Sequence, residues 1–276
     1  MIVIPETKEV TTWRGLHLFH FGMSNCSQRV RIMLEEKALP WESHHVDIPK
    51  GENLTDFYQG INPNGVVPTL VHDGTVIIES TDILEYLDTL PSPRESLFSV
   101  PGVNSGARDA CVDRANAAQE HIKVLSFEYL FKPVARKGKR ELEDLDRRLK
   151  NRSLLEFHQR FSSGGFSRET LWDSVCAMHE LLAFLEGRLN GRDWLAGERI
   201  SIADVAWIVN VHRLHLMHFP LTRYPKLQRW AGRMRERPSY HRALQTYEPR
   251  GAVGIVRLYA WLRANFGRGA FDLAPC

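Results

Sequence analysis

The sequence predicts two domains, a small α/β domain first and an all-α helical domain after it. Three observations lead there. From residue 16 to residue 89, short apolar runs alternate with segments of helical period. A stretch with three prolines and little periodicity, PSPRESLFSVPG at 91–102, then breaks the pattern. Beyond it almost no segment has strand character.

The elements follow in order. LHLFHF (16–21) is short, apolar and followed by Gly22, which suits a buried strand. In the next segment Val30, Met33 and Leu34 fall at i, i+3 and i+4 and share a helix face, with Ser27 placed to cap the helix and Pro40 to end it. WESHHVDI (41–48) reads as a second strand, and GENLTDFYQGI as a weak short helix. Turn chemistry at 62–65 leads to a strand entered through Pro68. His72-Asp73-Gly74 signals a hairpin into TVII. Glu79 and Ser80 open a helix in which Ile83, Tyr86 and Leu87 recur. The order is β-α-β-α-β-β-α, a thioredoxin-like layout with a proline just before its third strand.

After the linker, 105–133 reads as helix. The alternating charges of ARKGKRELEDLDRRLKNR read as a solvated helix face, and SSGG (162–165) as a loop. Leu171, Val175, Met178, Leu182 and Leu185 mark an amphipathic helix. Ser201-Ile-Ala-Asp204 matches a capping box, with Asp in the place of the usual Glu. The run that follows it is too apolar for a surface helix and is read as the centre of the helical domain, with Trp207 in its core. Two short helices around Pro238 and an amphipathic segment at 252–266 complete the chain. The expected boundaries are an N-terminal extension at 1–14, an α/β domain at 15–92, a linker at 93–104 and a helical domain at 105–276.

Composition narrows the function. The 276 residues, 43% of them hydrophobic, suit a soluble globular protein able to bury a core. A net charge of +3 gives no argument for nucleic acid. Cys26, Cys111, Cys176 and Cys276 lie far apart with no zinc-ligand spacing, so thiols in a cytoplasmic setting are expected, with no metal. His17, His20, His44 and His45 likewise show no metal-ligand spacing. The N-terminus lacks the form of a signal peptide, and no apolar run is long enough to span a membrane. From Thr222 to Arg268 there are eleven Arg and Lys against two acids, a basic face able to attract an anionic substrate or a membrane surface.

Four motifs between residues 16 and 245 resemble the cytosolic glutathione transferases. Ser24-Asn-Cys26-Ser-Gln-Arg29-Val-Arg31 resembles the start of the zeta class and of the tetrachlorohydroquinone reductive dehalogenases. Asn62-Pro-Asn-Gly-Val-Val-Pro68-Thr-Leu resembles the family's loop before its third strand. Glu79-Ser80 resembles its γ-glutamyl-binding pair, and Ser201-Ile-Ala-Asp204 the capping box of its central helix. The charged insertion at 136–165 and SIADVAWIVNVHRL resemble the dehalogenases. VDIPKGEN and INPNGVVPTLVHDGTVIIEST also resemble the glutathione-using lignin β-etherases. The enlarged helical domain also resembles that of the ganglioside-induced differentiation-associated proteins.

The resemblance implies an enzyme with glutathione as co-substrate, a small electrophilic second substrate, a homodimer and the glutathione transferase fold. Ser24 and Cys26 are the candidate catalytic residues. A hydroxyl can donate to a glutathione thiolate, and a thiol at a helix N-terminus becomes nucleophilic. Val67, at a cis Val67–Pro68 bond, would offer its backbone to the cysteinyl unit of glutathione. Glu79 and Ser80 would take the γ-glutamyl amine and carboxylate. Lys50 and Asn64 are candidates for the glycine carboxylate by position only. Met23, His121, Phe127 and Tyr129 are lining candidates for the second substrate. A different class stays open, a non-catalytic module that docks its basic C-terminal segment on a membrane or a partner.

Overall fold

The computed structural model describes residues 1–248 and 250–266. The chain divides into two compact units. Met1–Arg94 and Arg136–Gly164 form the first, and Glu95–Ala135 with the residues from Gly165 onward form the second.

The first unit contains β1 (Ile2–Val3), β2 (Leu16–His20), α1 (Asn25–Glu36), β3 (Glu42–His45), α2 (Asp56–Ile61), β4 (Thr69–His72), β5 (Thr75–Ile78) and α3 (Ser80–Thr89). The strands form one sheet in the order β1-β5-β4-β2-β3, with only β2 and β3 parallel. The alternation of side chains splits the core between the two faces. Leu18, Leu70 and Ile77 are buried on one face. Phe19, Val71, Val76 and Ile78 pack with Val10, Val46, Tyr58 and Ile61 on the other.

The β4–β5 turn explains its own sequence. Asp73 and Gly74 both have positive φ, as a two-residue hairpin of this hand requires. A Cβ on Gly74 would also lie 2.2 Å from the Thr11 carbonyl oxygen, so only glycine fits.

Two details differ from the sequence reading. The N-terminal extension supplies a strand, β1, in register with β5 through Ile2↔Ile77 and Val3↔Val76. Two residues are too few for a period to register in sequence. The cap of α1 is Ser24, whose side chain accepts from the Ser27 N–H at 3.3 Å. Ser27 is instead fully buried inside the first turn.

The charged insertion folds with the first unit, although the sequence reading assigned it to the helical domain. It forms α6 (Lys139–Arg148) and α7 (Arg152–Ser163), so the expected SSGG loop begins only at Gly164. Its charges are the solvated face, while Leu145, Leu149 and Leu155 cluster with Leu54 and Leu154. Buried Gln59 takes the α6 end on both sides of its amide, donating to the Arg148 carbonyl at 2.8 Å and accepting from the Lys150 N–H at 3.2 Å. Three leucines, two within the charged run and one just after it, decide the docking, and nothing local in sequence says which surface receives them.

The second unit is helical: α4 (Ser105–Ser126) running through a π-helical turn at Phe127–Phe131 into α5 (Lys132–Ala135), then α8 (Arg168–Arg188), α9 (Ile202–Leu216), α10 (Pro225–Glu236), α11 (Pro238–Tyr240) and α12 (Arg250–Phe266). All five apolar positions foreseen on α8 are buried. Nearly every residue of α9 is buried, and Trp207 donates to the Cys111 carbonyl at 2.8 Å. The capping box forms as expected. Cys26 and Cys111 are thiols. Cys276 lies outside the described residues, as does the end of the basic segment. No described helix is long and apolar enough to cross a membrane.

Candidate functional site

The sheet register brings the predicted residues of the first unit to one edge. Phe19 of β2 pairs with Thr69 of β4, and Thr69 pairs with Ile78 of β5. The end of β2, the beginning of β4 and the end of β5 therefore share one edge of the sheet. The Met23–Cys26 segment leaves from the first, Val67–Pro68 enters the second, and Glu79–Ser80 follows the third. Residues spread over 57 positions (24 to 80) in the chain meet because β4 runs against both neighbours.

At the start of α1, Ser24 is the cap and Cys26 the second helical residue, and both are half-buried. The Ser24 oxygen accepts the Ser27 N–H, while its hydroxyl hydrogen has no acceptor among the described residues and can be donated elsewhere. Unpaired amides at a helix start favour negative charge on a neighbouring atom. Arg29, 1% exposed, sits one turn further on. Its Nη1 lies 3.5 Å from the Ser80 hydroxyl. Burial pushes the Arg29 guanidinium below its ordinary pKa, and its interaction with Cys26 opposes that shift.

Arg31 holds the loop that carries these groups. It is fully buried and donates to the carbonyls of Phe21 (3.3 Å) and Gly22 (3.0 Å), with His20 Nδ1 at 3.1 Å. Burial first, and then the Arg31 charge, lower the His20 pKa to about 3, so a neutral ring faces the guanidinium.

The Val67–Pro68 bond is cis. The loop before it is stapled by buried Asn62, which donates to the Val66 carbonyl (3.0 Å) and Thr69 Oγ1 (2.9 Å) and accepts from the Asn64 N–H (3.0 Å). The Tyr58 hydroxyl also donates to the Val66 carbonyl, at 2.7 Å. The Asn62 amide and the Tyr58 hydroxyl thus converge on Val66 and Thr69. The N–H and C=O of Val67 make no hydrogen bond among the described residues. Glu79 has φ 68°, a strained value for a residue with a Cβ. It is exposed, and its carboxylate has no partner among the described residues. Ser80, the first residue of α3, is 9% exposed.

Lys50 and Asn64 are brought less directly to this edge. Lys50 is exposed and pairs with Asp47 at 2.7 Å. Asn64 offers its carbonyl to Asn151 of the insertion at 3.4 Å. The candidates for the second substrate sit among other contacts. Met23 is buried, and His121 lies 3.4 Å from the Ser174 hydroxyl. Phe127 and Tyr129 belong to the π-helical turn, where Tyr129 is buried beneath Arg263.

Sequence reasoning missed two features. It left Arg29 and Arg31 without a role, and both are buried once α1 packs. It also saw no metal-ligand spacing among the histidines. The structure brings His17, Glu42 and His44 together across two strands that lie 25 residues apart in sequence at His17 and Glu42.

The comparisons with known proteins agree with this architecture. The family model of the glutathione S-transferase N-terminal domain matches residues 23–90, and that of the C-terminal domain matches residues 177–233. Glutathione S-transferase TCHQD of Arabidopsis thaliana is 27% identical over 84% of this chain and 90% of its own length. Protein LigF of Sphingobium sp. strain SYK-6 is 32% identical over 69% of this chain and 75% of its own. The crystal structure of β-etherase LigF superimposes with a TM-score of 0.73, covering 84% of this chain and 99% of that one. The tetrachloro-p-hydroquinone reductive dehalogenase of Sphingobium chlorophenolicum is 26% identical over 82% of this chain and 94% of its own. A thioredoxin-like sheet with a cis-proline edge, a helical unit with a buried capping box, and these likenesses lead to one conclusion: the chain belongs to the glutathione S-transferase family, enzymes with glutathione as co-substrate.

Proposed function

We propose that the protein uses glutathione to reduce a small electrophilic, aromatic substrate, by dehalogenation or deglutathionylation, with Ser24 and Cys26 as catalytic residues. The observation that carries this reading is the pair Ser24 and Cys26 at the open start of α1, at the sheet edge where the Val67 amide and carbonyl are unengaged. Val67 would pair with the cysteinyl backbone of glutathione like an added strand, and Glu79 and Ser80 would hold the γ-glutamyl amine and carboxylate. Lys50 and Asn64 are the nearest candidates in sequence for its glycine carboxylate.

The chemistry balances in three steps. The glutathione thiolate, held by the Ser24 hydroxyl, displaces halide from the ring, so that a C–S bond forms and a C–halogen bond breaks. The Cys26 thiolate then attacks the sulfur of the adduct. A Cys26–glutathione disulfide forms, and the ring carbon keeps the electron pair and takes a proton. A second glutathione attacks the mixed disulfide, releasing oxidised glutathione and the Cys26 thiolate. Two thiols are oxidised for one carbon–halogen bond reduced.

A second reading is favoured by the likeness to LigF. In it Ser24 alone sustains a glutathione thiolate that displaces aryloxide from a β-aryl ether or adds to an isomerisable double bond, and Cys26 takes no part. A third reading rests on the exposed stripe of Ile255, Leu258, Trp261 and Leu262 on α12, which suits contact with a membrane surface. We place the protein in the cytoplasm as a homodimer, in line with the family's habit.

Intact mass after mixing with oxidised glutathione separates the first two readings. Cys111 serves as an internal reference, because burial pushes its thiol up to about 11 and keeps it protonated. One glutathione added to the wild type and none to Cys26→Ser supports the disulfide route. No adduct on the wild type removes it and leaves the Ser24 route, to be assayed with β-aryl ethers and maleyl compounds.

A further inference from the structure

The geometry points to a binding site for a divalent transition-metal ion of the zinc class, formed by His17, Glu42 and His44 on the α2 face of the sheet. His17 and Glu42 are in register across the parallel β2–β3 pair, and His44 is two residues beyond Glu42, so all three side chains leave the same face. His17 Nδ1 and His44 Nε2 lie 3.0 Å apart. Glu42 Oε2 is 3.5 Å from His17 Nδ1, and its other oxygen, Oε1, is 3.6 Å from His44 Nε2, so a small turn of the carboxylate brings one oxygen to both. Donors bound tetrahedrally to zinc at roughly 2.0–2.1 Å stand about 3.3 Å from one another. The three groups are therefore within a few tenths of an ångström of that spacing before any ion enters.

The hydrogen bonds prepare the imidazoles for this use. His17 Nε2 lies 2.8 Å from the Arg14 carbonyl oxygen, which only accepts, so Nε2 carries the proton of the neutral ring. Its Nδ1 lone pair is thus turned toward His44. A backbone carbonyl on the far nitrogen is the usual outer partner of a metal-bound histidine. His44 Nδ1 has no partner among the described residues, so that ring can carry its proton there and present Nε2 as a lone pair. Trp13 stacks on His44 with ring centroids 5.0 Å apart and lies 4.7 Å from His17, which fixes both ring planes.

Two imidazoles and one carboxylate suit zinc and other borderline divalent ions, and three protein ligands leave a coordination position open. An ion here would tie the edge strand β3 to β2 and, through Arg14, to the segment before β2. The alternative is a plain N–H···N hydrogen bond with Glu42 nearby.

Calorimetric titration of untagged, full-length protein with zinc chloride separates the two. The expected result is one equivalent bound, with affinity weakened by at least about tenfold in His44→Gln and in Glu42→Gln, since loss of even an outer partner costs that much. Both substitutions are on the partly open side of the cluster, so circular dichroism will confirm that the variants fold. Cys26→Ser should bind zinc as the wild type does, which separates this site from thiol ligation. Cobalt(II) in place of zinc should show ligand-field bands without thiolate charge transfer. The proposal is overturned if no equivalent binds at submillimolar zinc, if His44→Gln and Glu42→Gln bind as the wild type does, or if Cys26→Ser abolishes binding.

Discussion

Among the helices that begin with a serine cap, α1 and α9 differ most plainly in what surrounds it. At the start of α9, Ser201 and Asp204 are both completely buried. The Asp204 carboxylate accepts from the amides of Ser201 (2.9 Å) and Leu195 (3.0 Å), from the Trp230 indole (2.8 Å) and from the Ser201 hydroxyl (3.2 Å). Burial raises its pKa, and those four donors oppose the shift. At the start of α1, Ser24 accepts one amide and keeps its hydroxyl hydrogen uncommitted, beside a half-buried Cys26. Similar local chemistry serves two ends. Where every donor is spent on the protein, the cap holds a core together. Where a donor is left over at an open edge, it is available to a ligand.

That contrast predicts that effects on stability and on activity run in opposite orders. Asp204→Ala should be the most destabilising change, by about 4 kcal/mol, because it strips four donors in a dry core. Denaturant titration will measure it, and activity per folded molecule should stay at the wild-type level. Arg31→Met should follow at about 3 kcal/mol, since it strands the Phe21 and Gly22 carbonyls.

Acid comes next. His20 is neutral in the fold down to about pH 3 but protonates near 6.5 when unfolded, so the unfolded state binds the extra proton between those values. Stability must then fall as pH drops through that window, by about 2 kcal/mol between pH 7 and pH 5 from this residue. In His20→Gln that share of the slope should vanish from melts taken across the same range.

The smallest change in stability is expected for Ser24→Ala, about 1 kcal/mol for a lost cap. Its glutathione-dependent turnover should nevertheless fall about a hundredfold, the usual cost of losing a donor to a developing anion. An Asp204 variant that loses specific activity, or a Ser24 variant that keeps it, would break the comparison.

Much of the placement of the candidate site was legible in sequence, because its residues sit at element boundaries. A serine before a helix, a proline before a strand and an Asx-rich loop are local signals, and Asn62, Pro68, Ser80 and Asp204 each fall where the local pattern put them. Other residues had no local signal. Arg29 and Arg31 look like surface charges until α1 packs on the sheet. His17 and His44 look unrelated until two strands lie in register. The docking of the 136–164 insertion with the first unit rests on a buried glutamine and three leucines of the insertion.

The amino-acid pattern alone carries most of the elements and their order, though not β1, together with the split into an α/β part and a helical part and the family membership. It could do so because periodicity, caps and turns act over a few residues. Packing in three dimensions sets which ends of which strands meet, which cap stays open, which arginines are buried and where the insertion packs. Those outcomes depend on contacts between residues far apart in the chain, and sheet register and burial are properties of the whole packed unit that no single segment encodes.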